Sequence, residues 1–165
     1  MEEVTNVQIG KVSVAQGEVT LHAVAIGSCI AVAAHDAVKK IGALAHVMLP
    51  GCAPRAKDPQ EKTKYAADAI DVMLQKMAEL GSRVEDIQVV VAGGANVLGG
   101  PDDSICRNNI ESTLSLLAEK KLTVAARDLG GTDRRSISID IRRGIVFCAA
   151  GDGPEMQLWR AHEAG

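Results

Sequence analysis

A cysteine and a histidine on two neighbouring apolar segments have the residue types for nucleophilic chemistry. Cys29 follows Gly27 and Ser28 where the first segment begins, and His46 lies near the end of the second. A thiolate attacks carbonyl carbon, and a neighbouring imidazole can take the thiol proton and later return it to a leaving group. We therefore expect acyl transfer, with Cys29 as nucleophile and His46 as base. The backbone N–H groups of the Gly27–Cys29 stretch would face the developing oxyanion.

The sequence from 26 to 50 predicts a β-hairpin that brings these two side chains together. Two runs of small and β-branched residues flank the polar break HDAVKK, and neither run has helical spacing. A tight turn centred between Ala37 and Val38 would place Cys29 directly opposite His46. Directly opposed residues share a sheet face, with Cβ atoms about 4.5–5.5 Å apart. The expected contact is a thiol–imidazole hydrogen bond that lowers the pKa of the thiol.

The same two residues also fit a purely structural role. Free cysteine is often a small buried hydrophobic residue, and a core histidine can satisfy its ring nitrogens with backbone groups. A slip of one residue would send the two side chains to opposite faces of the sheet. His22 and His35 would then be rival bases.

The motifs around the hairpin resemble those of a known family. IGSCIAV, a short turn and IGALAHVMLP are similar to the signature of CheD, the chemoreceptor glutamine deamidases, and the likeness continues through VAGGAN, the Ile105–Glu111 region and DLGG with Arg135. The resemblance supports Cys29 and His46 as the catalytic residues. It also favours a site wall formed by Gly93, Gly94, Asn96, Gly130, Gly131 and Arg135.

The resemblance implies a function and partners as well. The substrates would be glutamine side chains on methyl-accepting chemotaxis proteins, and glutamate methyl esters could be hydrolysed by the same chemistry. A regulatory partner, the phosphatase CheC, is implied too. No cofactor or metal is expected, because the four cysteines form neither a CxxC pair nor a zinc spacing.

One residue departs from the family pattern. A threonine six residues before the cysteine orients the imidazole in CheD, whereas this chain has Ala23 there. Thr20 lies nearby but out of register. A backbone carbonyl could hold the ring instead, and lower activity than that of a threonine-bearing relative is expected.

Two functions from other classes stay open at this stage. The chain could be a binding module that docks on receptors or on CheC with weak catalysis, which the Ala23 departure favours. It could also be a different Cys–His acyl-transfer enzyme of the transglutaminase type, which would incorporate a primary amine at the glutamine.

Composition and charge limit the number of domains, the kinds of partner and the cellular compartment to be expected. The 165 residues suit a single domain (1–165), and 47% are apolar although Trp, Tyr and Phe occur once each. A net charge of −3 without a basic run argues against a nucleic-acid partner. The sequence has no secretory signal and no apolar run of membrane-spanning length, so a cytoplasmic protein is expected.

The remaining elements predict a layered α/β or α+β domain. The resemblance further implies a β-sandwich core flanked by helices, similar to the catalytic domain of the cytotoxic necrotising factors. We expect a proline-rich loop beside the site at Pro50–Gln60, a largely irregular tail at Gly151–Gly165, and solvated side chains for Arg134, Arg142 and Arg143. The predicted strands outside the hairpin are Val4–Val14, Val19–Ala25, Ile87–Ala92, Leu122–Asp128, Ser136–Ile141 and Ile145–Ala149, and the predicted helices are Lys64–Leu80 and Asn108–Lys121.

Overall fold

The computed structural model describes residues 2–55 and 58–162. What we expected of Met1, of residues 56–57 in the proline-rich loop and of residues 163–165 in the tail lies outside the described residues. The strands are β1 (Glu3–Asn6), β2 (Val12–Gln16), β3 (Val19–Ile26), β4 (Ile30–Asp36), β5 (Ile41–Val47), β6 (Ile87–Gly93), β7 (Thr123–Leu129), β8 (Arg135–Asp140), β9 (Ile145–Ala150) and β10 (Met156–Arg160). The α-helices are α1 (Pro59–Lys62), α2 (Ala66–Glu79) and α3 (Ser104–Glu119), and a short 3-10 turn precedes β6 at Val84–Asp86.

Two five-stranded sheets and one layer of helices build the fold. The outer sheet has the order β1-β3-β8-β9-β10, and the central sheet has the order β2-β5-β4-β6-β7. One apolar core lies between the sheets and includes Leu21, Leu44 and Ile139. A second core lies between the central sheet and the helices and includes Ile70 and Met73 of α2. The predicted layered α+β class is confirmed, but α2 and α3 cover one face of the sandwich and do not surround it.

Strand β4 is buried on both faces, which explains its unbroken apolar sequence. Ile30 and Val32 belong to the core under the helices, whereas Ala31 and Ala33 belong to the core between the sheets. A strand in this position needs no polar alternation, because neither face meets water. Its partner β5 is equally buried along its whole length.

The hairpin is present, but its predicted register is wrong by two residues. His46 is opposite Ala31, and the last pair at this end is Ile30 with Val47. The turn takes four residues because Asp36 Oδ1 accepts the backbone N–H groups of Val38 and Lys39 at 3.0 and 3.2 Å. A slip of two residues keeps side chains on the same face. His46 therefore still faces the core between the sheets, the core that also contains Cys29.

Three further expectations need correction. The stretch Val4–Val14 is not one strand: it divides at Gly10 (φ +78°) into β1 of the outer sheet and β2 of the central sheet. The tail is not irregular, because β10 pairs with β9. Helix α3 begins at Ser104, four residues before its predicted start. The helix predicted at Lys64–Leu80 and the other predicted strands are confirmed to within a few residues. Within the described residues, every helix is too short or too polar to span a bilayer.

His35 is a structural link between the two sheets. Its ring is 1% exposed, and Nε2 donates to the Ile141 carbonyl at 2.8 Å. The ring meets Trp159 of β10 edge to face, with centroids 5.9 Å apart. Nδ1 has no partner among the described residues. Burial lowers the pKa of His35, against the smaller opposing effect of the Ile141 carbonyl.

We predict that the protein loses stability in mild acid because of this histidine. An unfolded histidine titrates near pH 6.5, and the folded pKa of His35 is lower, so below about pH 6.5 the unfolded chain binds a proton that the folded chain does not. The free energy of unfolding should therefore fall as the pH drops from about 7.5 to about 5.5. Thermal unfolding at both pH values measures this. His35→Gln should reduce the pH dependence. An equal pH dependence in the wild-type and His35→Gln proteins would contradict the assignment to His35.

Candidate active site

A bulge at the end of β3 turns the chain towards Cys29. The pairing of β3 with β8 shifts between Ala23 and Ile26, and Ala25 adopts a left-handed φ of +56°. Bulges of this kind re-aim the residues that follow. Gly27, Ser28 and Cys29 then form a short bend before β4 begins.

The loop Gly93–Asn96 holds this bend through two backbone hydrogen bonds. The N–H of Gly94 donates to the Cys29 carbonyl at 2.8 Å, and the N–H of Ala95 donates to the Gly27 carbonyl at 2.9 Å. Gly93 has a φ of +122°, and a Cβ atom there would lie 2.2 Å from the Cys29 carbonyl oxygen. Only glycine can therefore occupy position 93 while this support stays in place.

Cys29 lies at the floor of an open cleft of about 410 Å³. The thiol-bearing residue is 7% exposed, whereas Leu98 and Ile105 on the rim are 95% and 62% exposed. The lining combines the end of β3 and its bend, the loop after β6, the start of α3 and one arginine. These residues are Ala25, Gly27, Ser28, Cys29, Ala95, Asn96, Val97, Leu98, Asp102, Ser104, Ile105, Cys106 and Arg134.

The segment between β1 and β2 holds His46 from both sides. The N–H of Gly10 donates to the His46 carbonyl at 2.8 Å, and the N–H of His46 donates to the Lys11 carbonyl at 3.0 Å. The ring nitrogen Nδ1 lies 3.2 Å from the Val7 carbonyl. A carbonyl can only accept, so this contact places the proton on Nδ1 of the neutral ring and leaves the lone pair on Nε2. The Val7 carbonyl thus holds the ring, which is the alternative to a threonine that the sequence left open.

Cys29 and His46 share a face of the central sheet but do not form the expected hydrogen bond. The diagonal offset in the hairpin separates them, and Nε2 of His46 has no partner among the described residues. His46 also does not line the cleft described above. The rival bases are further away in the fold. His22 bonds Asn6, and His35 lies at the far end of β4, six residues from Cys29.

Burial favours the neutral form of both members of the pair. Burial raises the pKa of the Cys29 thiol, although its own backbone N–H opposes the shift. Burial also lowers the pKa of His46, against the smaller opposing effect of the Val7 carbonyl. The expectation of a lowered thiol pKa was wrong, because no imidazolium sits beside the sulfur. The arrangement suits a general base that removes the proton during attack.

The structure divides the predicted site wall into three groups. Asn96 lines the cleft with Cys29, while Gly94, Gly130 and Gly131 line an adjacent hollow that Asn96 also reaches. Gly93 and Arg135 line neither the cleft nor the adjacent hollow.

Arg135 braces this region from below. Arg135 is 8% exposed, bonds both carboxylate oxygens of Asp128 at 3.2 and 3.3 Å, and donates to the Gly93 carbonyl at 3.3 Å. It supports Gly93, whose neighbours Gly94 and Ala95 hold the bend that carries Cys29. Arg134, expected to be a solvated surface residue, is exposed but also lines the cleft.

Several residues of the site region escaped the sequence-based prediction. Leu98 and the Val7 carbonyl carry no motif of their own, and the resemblance over Ile105–Glu111 assigned no role to Ile105 or Asn109. Leu98 could have been predicted as a site residue from its place in the loop after a buried strand, since such loops commonly carry functional residues. The loop at Pro50–Gln60, expected beside the site, contributes no residue to the cleft in its described part. In the described residues no group of three or more His, Cys, Asp or Glu could hold a metal ion.

Comparison with known proteins points to one family. A family model described as CheD chemotactic sensory transduction matches residues 48–150, which lie after both Cys29 and His46. The chain is 36% identical over 134 residues to a probable chemoreceptor glutamine deamidase CheD of Chlorobium luteolum, covering 81% of this chain and 66% of that protein. It is 30% identical over 151 residues to the chemoreceptor glutamine deamidase CheD of Thermotoga maritima, covering 91% and 94%. A probable chemoreceptor glutamine deamidase CheD of Methanococcus maripaludis is 34% identical over 152 residues, covering 90% and 96%.

We predict that Gly93→Ala destabilises the protein by at least about 2 kcal/mol, because the added Cβ meets the Cys29 carbonyl and the backbone is left-handed. Denaturant unfolding measures the loss. Gly100→Ala is the matched control, since a Cβ at position 100 meets nothing within 4 Å. A Gly93→Ala protein as stable as this control would contradict the close approach.

We also predict that Cys29 reacts slowly with iodoacetamide at about pH 7.5, because burial keeps it in the thiol form. Exposed Cys52 serves as the internal reference and should be labelled first. Peptide mass spectrometry over a pH series would show the Cys29 rate still rising above about pH 9. A Cys29 rate that is already at its plateau near neutral pH would indicate a thiolate–imidazolium pair and contradict this prediction.

Proposed function

Since the chain belongs to the CheD family, we propose that it is a glutamine deamidase that acts on chemoreceptors, with Cys29 as nucleophile and His46 as base. The relatives named above carry this activity in their names. One observation carries the residue assignment. An open cleft has Cys29 at its floor, and on the same inner face of the sheet the His46 ring has its Nδ1 proton bound and its Nε2 lone pair unused.

The proposed reaction is acyl transfer from the glutamine amide to water. Nε2 of His46 takes the thiol proton as the sulfur of Cys29 attacks the side-chain carbonyl carbon, and a tetrahedral oxyanion forms. His46 then gives that proton to the amide nitrogen, the C–N bond breaks and ammonia leaves. Water adds to the resulting thioester with His46 again as base, which releases glutamate and restores the thiol.

The sulfur and the ring must come closer for the first proton transfer. A rotation of the Cys29 side chain or one bridging water would connect them, since hydrogen bonds of catalytic groups are often loose before substrate binds. The Val7 carbonyl supports this step, because it stabilises the imidazolium that forms while the proton resides on Nε2. The proposed oxyanion donors are the backbone N–H groups of Gly27–Cys29, because these residues line the cleft.

Further parts of the proposal rest on the family resemblance. The substrates would be methyl-accepting chemotaxis proteins, and hydrolysis of glutamate methyl esters would proceed through the same tetrahedral intermediate. We place the protein in the cytoplasm with its receptor substrate, and CheC is its proposed partner. We also propose a single deamidase domain over 1–165, which the apolar core shared by the two sheets supports. The family resemblance alone implies a likeness to the catalytic domain of the cytotoxic necrotising factors.

A second candidate function is a docking module with weak catalysis. The absence of a Cys29–His46 hydrogen bond among the described residues, together with the raised pKa of the Cys29 thiol, favours it. In that case the exposed rim residues Leu98 and Ile105 would contribute to receptor or CheC binding, and the thiol would be dispensable.

We predict that incubation with a chemoreceptor cytoplasmic fragment converts specific glutamines to glutamates and releases one ammonia for each. Peptide mass spectrometry locates the sites, and an ammonia assay measures the rate. Cys29→Ala should abolish the conversion, and His46→Gln should slow it by about 10²-fold or more, because a general base is removed. Addition of methylamine tests the transglutaminase alternative, which would yield the methylamide at the same glutamines.

Two variants serve as controls. Cys148→Ala changes another buried thiol, which lies outside this cleft, and Cys52→Ala changes the exposed one. Both should retain the wild-type rate. Full deamidation by the Cys29→Ala protein would exclude Cys29 as nucleophile, and full cellular function of that variant would favour the docking module.

A further inference from the structure

Asn109 is a fully buried amide that contacts both chain segments of the candidate site. It lies on α3 and is 0% exposed. Its Nδ2 donates to the Ser28 carbonyl at 2.9 Å and to the Met48 carbonyl at 3.1 Å. Ser28 precedes Cys29, and Met48 follows His46 by two residues. One side-chain nitrogen therefore connects the nucleophile's loop to the end of the base's strand.

These two segments need such a connection because the hairpin ladder stops short of them. The last backbone pair of β4 and β5 is Ile30 with Val47. Beyond it, a –NH₂ group can bridge two carbonyls, since it carries two donors on one nitrogen. Among the common buried side chains of this size, only asparagine offers that geometry without a charge.

The contact with Ser28 also fixes the direction of the Cys29 N–H, one of the oxyanion donors proposed above. In a planar trans peptide the N–H of one residue points away from the carbonyl of the residue before it. The carbonyls of Gly27, Ser28 and Cys29 are held in turn by Ala95 N–H, Asn109 Nδ2 and Gly94 N–H. The Ser28 carbonyl therefore sets the direction of the Cys29 N–H, and Asn109 is its side-chain anchor.

We propose that Asn109 is a positioning residue: its carboxamide fixes the Ser28–Cys29 peptide and the end of β5, and thereby sets the Cys29 N–H as oxyanion donor and the spacing of sulfur and ring. This inference rests on the proposed function. The Cys29 N–H already acts on its own sulfur, since it opposes the rise in the thiol pKa caused by burial. Asn109 does not line the cleft and so is not expected to contact the substrate.

Asn109 also bears a cost that a packing role would not require. Its Oδ1 has no hydrogen-bond partner among the described residues. Burying an unpaired amide oxygen is unfavourable, and an apolar residue of similar size would avoid that cost. Thr113, one turn later on α3, is 1% exposed, and within the described part of the chain its hydroxyl has no hydrogen-bond partner in either segment, which makes it the natural comparison.

The test compares Asn109→Asp and Asn109→Ala with the matched control Thr113→Val. We expect kcat on the receptor fragment to fall at least tenfold in both Asn109 variants with KM changed less than twofold, because a misdirected oxyanion donor acts in the transition state only. Thr113→Val should keep the wild-type kcat. Thermal unfolding of each variant identifies the temperature range in which all of them are folded, and kinetics are measured there. An Asn109 variant that retains kcat within twofold, or one that changes only KM, would overturn the proposal.

Two readouts do not depend on deamidase activity, so they still decide the role of Asn109 if the wild-type protein proves inactive. The first is the pH profile of Cys29 alkylation, which should move to higher pH in both Asn109 variants and stay unchanged in Thr113→Val. The second uses the wild-type protein alone and covers the case in which the variants do not fold. Its Asn109 side-chain amide protons should be protected from hydrogen exchange, and exchange as fast as that of a free amide would overturn the proposal. Loss of deamidation in the wild type with both readouts as expected would remove the proposed function only.

Discussion

The burial of the β4–β5 hairpin on both faces governs where this protein can place reactive groups. Helices cover one face and the outer sheet covers the other, so a charged side chain in the middle of either strand would be desolvated on all sides. The candidate reactive pair accordingly lies at the hairpin end where the ladder stops. At this end Cys29 lines an open cleft, and His46 is hydrogen-bonded to the segment between β1 and β2, which crosses from one sheet to the other.

The same constraint explains which parts of the fold the sequence predicts. The apolar runs of β4, β5 and β6 and the helical period of α2 result from burial, and burial is recorded in local residue types. The division of the first predicted strand is not recorded in this way, since both halves alternate and only Gly10 marks the change of sheet. Strand β10 also escapes prediction, because it is stabilised by pairing with β9 and not by its own composition.

For the candidate site, the face of each side chain could be predicted but the contacts could not. The hairpin turn is centred one residue later than predicted, which displaces the pairing register by two residues, because Asp36 caps a longer turn in which Lys40 is left-handed. An even displacement preserves the side of the sheet, so Cys29 and His46 still lie on one face although they are not opposed. The partners of these residues are distant in sequence. Val7 is 39 positions from His46 and Asn109 is 81 positions from Ser28, and no local pattern records such contacts.

The acceptor that holds the imidazole belongs to the main chain and not to a side chain. A substitution scan would pass over position 7, because every residue type supplies the same carbonyl there. The residue types that position 7 accepts are limited by the buried apolar space that the side chain fills, and not by the hydrogen bond that its carbonyl accepts. The orientation of the His46 ring thus depends on the path of the backbone in the N-terminal segment. A deletion that shortened this segment would affect the histidine more than any single exchange of residues within it.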